Sequence, residues 1–447
     1  MGESLPGIAA FGKNCKNDYI TLQCYNIFLN FKMIKIKGFE NMNIKRLSLI
    51  LVIVFFIIGG LGTLLYSTGT NADETFKQEF QQKLDELQQA EGFPGVTVGI
   101  VLLEGQSMSF ASGWADVEAK VKMNPQDRML SGSIGKTYVA AVALQLIKEK
   151  KFSLEDKISL FFKDENWFPR LPNAPNITVK MLMNHTGGLP RYVLKKDLWT
   201  QLKQSPDKVW TPEERITLIL DDKPLHPAGE GWAYSDTDYI LMGMIIEKVT
   251  GHTYYEELDK RILHPYELKY TSPSNSRRLQ GLVPGYTGDG TPPFELPGKM
   301  VQNGVYMINP QFEWTGGGLI TNSTDLAKYI KLLMEGKIIP NEYLEMMKSA
   351  VNPKTGKPDT TGYGLGLEIY QTSDGVTYGH RGIMPGYLSI MEYVPKYRFA
   401  AALQINCDQF SGKLNSKKTR NDYLDTLKPI IIKYLSATRG PHGMGDL

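Results

Sequence analysis

Cysteine is scarce. The 447 residues include three, Cys15, Cys24 and Cys407. Only Cys407 falls in the main body, so that body does not depend on an internal disulfide. No CxxC pair occurs. His185, His226, His252, His264, His380 and His442 form neither an i,i+4 pair nor an HExxH motif. These absences exclude the usual zinc-hydrolase signatures, and no metal or other cofactor is expected. A charge excess is missing too: 50 Lys+Arg face 47 Asp+Glu, a net +3. Nucleic-acid binders usually carry basic blocks, so no such partner is expected. Hydrophobic residues at 42% and charged residues at 22% exclude wholesale disorder.

One long apolar run is present. Leu47 to Tyr66 holds 20 residues without a charge. As a helix it would be about 30 Å long, the thickness of a bilayer core. Lys45 and Arg46 precede it, and positive flanks stay cytoplasmic, so the body is expected to be exported. Two readings fit. Residues 42–72 are an uncleaved membrane anchor, or a signal peptide starting at Met42 and cleaved to leave a secreted or periplasmic body. Thr70-Asn71-Ala72 is a poor cleavage site. Residues 1–41 read as a short tail or a start-site artefact.

The body, residues 73–447, reads as α+β. Phe76, Phe80, Leu84 and Leu87 lie on one helical face. Pro94-Gly95 breaks that helix, and strand-like runs follow on both sides of Glu104-Gly105. A helix is expected from Pro125 to Lys151. Strands return after residue 360, and a last helix spans Tyr423 to Leu435. The expected arrangement is an antiparallel, five-stranded-type sheet flanked by helices (73–139 and 311–447). A mainly helical insert (140–310) is expected, with the active site between the two.

Three segments carry chemistry. Ser133-Ile-Gly-Lys136 opens an apolar helix. Residues three apart share a helical face, so the lysine can reach the hydroxyl. A serine nucleophile needs such a neighbouring base. Alone, the pair fits a capping serine with a surface lysine better than a catalytic pair. Neither a phosphate loop nor GxSxG is present, because positions 130 and 131 are Leu130 and Ser131. Tyr234 sits just before a buried-type helix ending at Gly251, either as an acid/base group or as packing. His380-Arg381-Gly382 lies on a strand where glycine permits close backbone approach.

Together these segments resemble the serine β-lactamase and penicillin-binding protein superfamily. The branch is the class C-like one, with its D-alanyl-D-alanine carboxypeptidases, D-aminopeptidases and related esterases. Ser133-Ile-Gly-Lys136 matches SxxK, Tyr234-Ser-Asp236 matches Tyr-x-Asn, and His380-Arg-Gly382 matches Lys/His-x-Gly. Met183 to Pro190 and Trp314 to Thr321 support the match. The resemblance implies an acyl-enzyme on Ser133, with Lys136 and Tyr234 sharing the proton. Backbone N–H groups of Ser133 and Ile383 would form the oxyanion hole. Asp236, His380, Arg381 and Gly382 would contact a small-molecule or peptide substrate. His380 would face its anionic end. Asp236 stands where the pattern has Asn; it favours a substrate with an amine donor, and it could also hold Lys136 protonated. A D-amino-acid peptidase or β-lactamase-like amide hydrolase leads. A carboxylesterase and a slowly deacylating penicillin-binding receptor compete with it.

Overall fold

The structure, a computed structural model, describes residues 72–439 apart from 104, 291–293 and 413–419. The expected tail and the apolar run Leu47 to Tyr66 lie outside the described residues. Among the described residues no helix is long and apolar enough to cross a membrane.

Helix α1 covers 72–91. Its expected stripe is buried: Phe76, Phe80, Leu84 and Leu87 are at most 4% exposed. Strands β1 (Gly95–Val101) and β2 (Ser107–Asp116) follow as a hairpin. Helices α2 (Gly135–Lys148), α3 (Asp236–Thr250) and α4 (Ser323–Met334) come next, with shorter helices between them. Strands β3 (Glu368–Thr372), β4 (Gly375–Met384), β5 (Tyr387–Val394) and β6 (Phe399–Ile405) then lead to α5 (Arg420–Arg439).

The six strands pair antiparallel in the order β3-β4-β5-β6-β1-β2. Two-residue strands extend both edges, which makes ten strands in all, six of them longer than two residues. Strands β1, β5 and β6 are buried along their whole length, as covering on both faces requires. On one face, α1 and Leu424, Leu427 and Ile431 of α5 pack with Phe93, Val98 and Leu403. The other face joins the core of α2, α3 and α4. Near the edge, strand β2 alternates buried and partly exposed residues over most of its length.

One boundary differs from expectation. The helix expected from Pro125 begins only at Gly135. Met129–Leu130 instead pairs with Leu319–Thr321. Gly132 then turns at φ +54°, a conformation that glycine adopts without steric cost. Helix α2 runs unbroken through residues 139 and 140.

Candidate active site

Ser133 sits on a single 3₁₀ turn, Gly132–Ile134, directly before α2. Glycine is required beside it. A Cβ at Gly132 would overlap the backbone of Ile383, and a Cβ at Gly382 would overlap the Ser131 carbonyl oxygen. These two glycines let β4 and the nucleophile turn touch backbone to backbone.

Lys136 occupies the first turn of α2 and is fully buried. Its Nζ donates to Ser133 Oγ at 3.1 Å, Asp236 Oδ1 at 2.7 Å and the Gly316 carbonyl at 2.5 Å. An ammonium has three protons, and all three are engaged. Burial opposes its charge. The Asp236 carboxylate outweighs burial and holds the Lys136 pKa above the ordinary lysine value. Asp236, at the start of α3, also accepts from Arg191 Nε at 2.9 Å. Burial alone would raise its pKa, but Arg191 and Lys136 hold it well below the ordinary carboxylate range.

Tyr234 is partly exposed, yet its hydroxyl oxygen is buried and has no hydrogen-bond partner of normal geometry. Lys136 Nζ lies 4.9 Å from its ring centroid and Arg191 Cζ 5.1 Å. Burial raises the phenol pKa, and Lys136 only partly offsets that. A histidine layer packs against the same ring. His185 is fully buried with its ring centroid 4.3 Å from that of Tyr234. Its Nδ1 accepts from Ser235 N–H at 3.3 Å and lies 2.7 Å from Asp238 Oδ2. One proton is shared across the short contact, on Nδ1 or on the Asp238 carboxyl. Burial pushes both groups toward their neutral forms, Asp238 up and His185 down, which favours the carboxyl as its carrier.

The expectation that His380 faces the substrate does not hold. It is 1% exposed and lines neither of the two cavities around Tyr234. Its Nδ1 donates to the Arg381 carbonyl at 2.7 Å and its Nε2 accepts from Tyr363 OH at 2.9 Å. Burial lowers its pKa to about 4, so it is neutral at physiological pH. Arg381 does reach the cavity, but Glu368 holds its Nε at 2.8 Å and neutralises it. Asp236 lines the cavity with cations on both oxygens.

Ser133, Tyr234, Asp236, Arg381 and Ile383 line one cavity of about 630 Å³. A larger hollow of about 930 Å³ shares Tyr234, Glu368 and Arg381 with it but lacks Ser133. The cavity with the nucleophile is the one that chemistry can use. Ser133, Lys136 and Tyr234 thus lie together, and the Beta-lactamase family matches residues 80–423. The chain belongs to the Beta-lactamase family.

Relatives within this family span several activities. The chain is 26% identical over 290 residues to penicillin-binding protein 4* of Bacillus subtilis, covering 62% of this chain. It spans 60% of that relative's own length. A D-stereospecific amidohydrolase from Streptomyces sp. has a similar structure, with a TM-score of 0.63 and 26% identity. That match covers 74% of this chain and 94% of the other. D-amino acid amidase from Ochrobactrum anthropi SV3, solved with L-phenylalanine amide, gives a TM-score of 0.66 at 25% identity. It matches over 81% of this chain and all of its own.

Besides Glu368, sequence reasoning missed two charged groups beside the motif segments of this Beta-lactamase family site. Arg191 follows Gly187-Gly188-Leu189-Pro190, and Glu313 precedes Trp314-Thr-Gly-Gly-Gly. Each adjoins a quoted motif segment, and that adjacency was the available signal.

Proposed function

We propose that the chain is an exported serine amidohydrolase acting on D-amino-acid amides or peptides through an acyl-enzyme on Ser133. One observation carries this reading: Ser133 Oγ lies 3.1 Å from a buried ammonium, on the wall of a cavity of about 630 Å³. The amidohydrolase and amidase relatives support amide chemistry.

Lys136 is clamped as a cation, so it stabilises negative charge at Ser133 rather than removing its proton. Tyr234 has the uncommitted hydroxyl. Because the phenol is neutral, it acts as a concerted relay: it passes its own proton to the leaving nitrogen as it receives the serine proton, while Oγ attacks the amide carbon. The C–N bond breaks, the amine leaves neutral and the acyl group stays on Ser133. Water reverses the relay and releases the acid. Backbone N–H groups of Ser133 and Ile383 hold the developing oxyanion. The contact between Gly132 and the Ile383 backbone supports that role.

The clamp on Lys136 also favours a second reading, a receptor that acylates and deacylates slowly. Intact-mass spectrometry tests both readings. The body and its Ser133→Ala variant meet a β-lactam, a D-amino-acid amide and an activated ester. An adduct absent from the variant, with rapid decay and amide turnover, is the expected result. A persistent adduct favours the receptor, and no adduct with any probe sinks the acyl-enzyme. Export rests on the run Leu47 to Tyr66, and cell fractionation tests it.

A further inference from the structure

The cavity beside Ser133 has two kinds of lining. Trp199, Phe294, Phe312 and Phe410 form a continuous aromatic wall. The Trp199 centroid lies 4.5 Å from Phe294 and 5.6 Å from Phe312, and Phe294 lies 5.1 Å from Phe410. Leu194 stands at this wall with 68% of its surface exposed. Apolar surface that stays exposed inside a catalytic cavity is surface a ligand covers.

The second lining is acidic. Asp236, Glu295, Glu313 and Glu368 all reach the cavity. Three are committed: Asp236 to Lys136 and Arg191, Glu295 to Lys203 and Glu368 to Arg381. Glu313 is 8% exposed, and its side chain has no hydrogen bond or ion pair among the described residues. A buried, unpaired carboxylate is costly, so such a group waits for a donor. Burial pushes its pKa up to about 8; Lys136 and Arg191 pull it down and Asp236 pushes it up. Asp236, the acid that the motif suggests for an amine, is already occupied. At a pKa of about 8 its carboxyl is protonated at neutral pH; an arriving ammonium draws it to ionise, and Lys136, Arg191, Asp236 and Glu313 then sum to zero.

We infer that the cavity selects an α-amino amide that keeps its free ammonium and carries an aromatic or long aliphatic side chain. Glu313 receives the ammonium through a charge-assisted hydrogen bond, and the wall of Trp199, Phe294 and Phe410 takes the side chain. This selectivity rests on the amidohydrolase reading above.

The test compares kcat/KM for D-phenylalanine amide, its N-acetyl derivative and D-alanine amide. It uses the wild type, Glu313→Gln, and the double variant Leu194→Ala/Phe294→Ala. In the wild type, D-phenylalanine amide should exceed each of the other two by about tenfold or more. Glu313→Gln should erase the preference for the free amine over the acetylated amide. The double variant should erase the preference for phenylalanine over alanine. Equal rates for the three substrates in the wild type overturn the inference whatever the variants do. So does a Glu313→Gln protein that slows the free and acetylated amides equally. Acylation of Ser133 by an activated ester, read by intact mass, separates the two levels. With an adduct but no preference, only this inference falls; with no adduct, the amidohydrolase reading falls with it.

Discussion

Two buried acid–base pairs flank Tyr234, and each is 2.7 Å long. Lys136 and Asp236 stay ionised, whereas His185 and Asp238 are both driven neutral. Distance does not decide between them. Moving the proton from the base to the acid costs the gap between their ordinary pKa values. For lysine and aspartate the gap is 6.7 pH units (10.5 against 3.8); for histidine and aspartate it is 2.7 (6.5 against 3.8). At about 1.4 kcal/mol per unit, these are roughly 9 and 4 kcal/mol. Desolvating two ions costs several kcal/mol each, partly offset by their attraction, so burial overcomes the smaller gap more readily than the larger one. The surroundings add to the difference. Arg191 and the Gly316 carbonyl support the charged pair, whereas Lys136 opposes a charged His185 and Asp236 opposes a charged Asp238. The active site therefore has a charged side that stabilises an oxyanion and a neutral side that holds the tyrosine in place.

The largest test removes the group between the two sides. Tyr234→Phe should lower kcat by about 10²–10⁴-fold, the usual contribution of a proton-transfer group. Stability should hardly change, because the hydroxyl has no hydrogen-bond partner of normal geometry. Full activity in this variant would show that the charged side suffices alone.

Asp236→Asn leaves Lys136 and Arg191 without their counter-ion. Urea unfolding should show a loss of about 3 kcal/mol, at the low end for a broken buried pair. Arg191, a third exposed, can turn toward water and limits the cost. Asp238→Asn makes the matching change on the neutral side. The amide can still donate to His185 Nδ1, so the expected loss is about 1 kcal/mol. Equal losses from the two substitutions would break the comparison.

His380 tests the neutral side by pH. Its folded pKa, about 4, lies below the ordinary 6.5. Burial is the main cause; Glu368 pulls toward the charged form while Lys136 and Arg381 push against it. The unfolded chain therefore binds more protons between those values. Stability is complete above pH 6.5, declines as the pH falls, and the loss levels off below about 4. The full span is about 3 kcal/mol. His380→Gln should flatten that part of the stability curve, which thermal melts from pH 4 to pH 7 would measure. A small effect is expected from Arg381→Ala. Its pair with Glu368 is only part-buried, 29% exposed on the arginine side and 13% on the glutamate side, so the loss should be about 1 kcal/mol, below that of Asp236→Asn.

The legible parts of the molecule were local. The stripe Phe76-Phe80-Leu84-Leu87 fixes the buried face of α1 by spacing alone. Gly251 ends α3 at φ +72°, as a C-terminal glycine does. Ser133, Lys136 and Tyr234 each stand at the start of an apolar helix, so their positions were readable. The fate of His380 was not, since a strand histidine can face a cleft or bond to Tyr363, and Tyr363 is 17 residues away. Arg191 and Glu313 carried no periodic signal, because only folding brings each of them to the cavity.

The sequence by itself determined which residues could react: a serine and a lysine one helical turn apart, a tyrosine before α3, and glycines where backbones must touch. Tertiary structure decided the protonation states. The partners of Lys136 lie 100 and 180 residues along the chain, at Asp236 and Gly316. Desolvation and short-range Coulomb energy depend on distances that spacing in sequence does not contain. The same chain thus keeps one aspartate charged and, two residues later, holds another neutral.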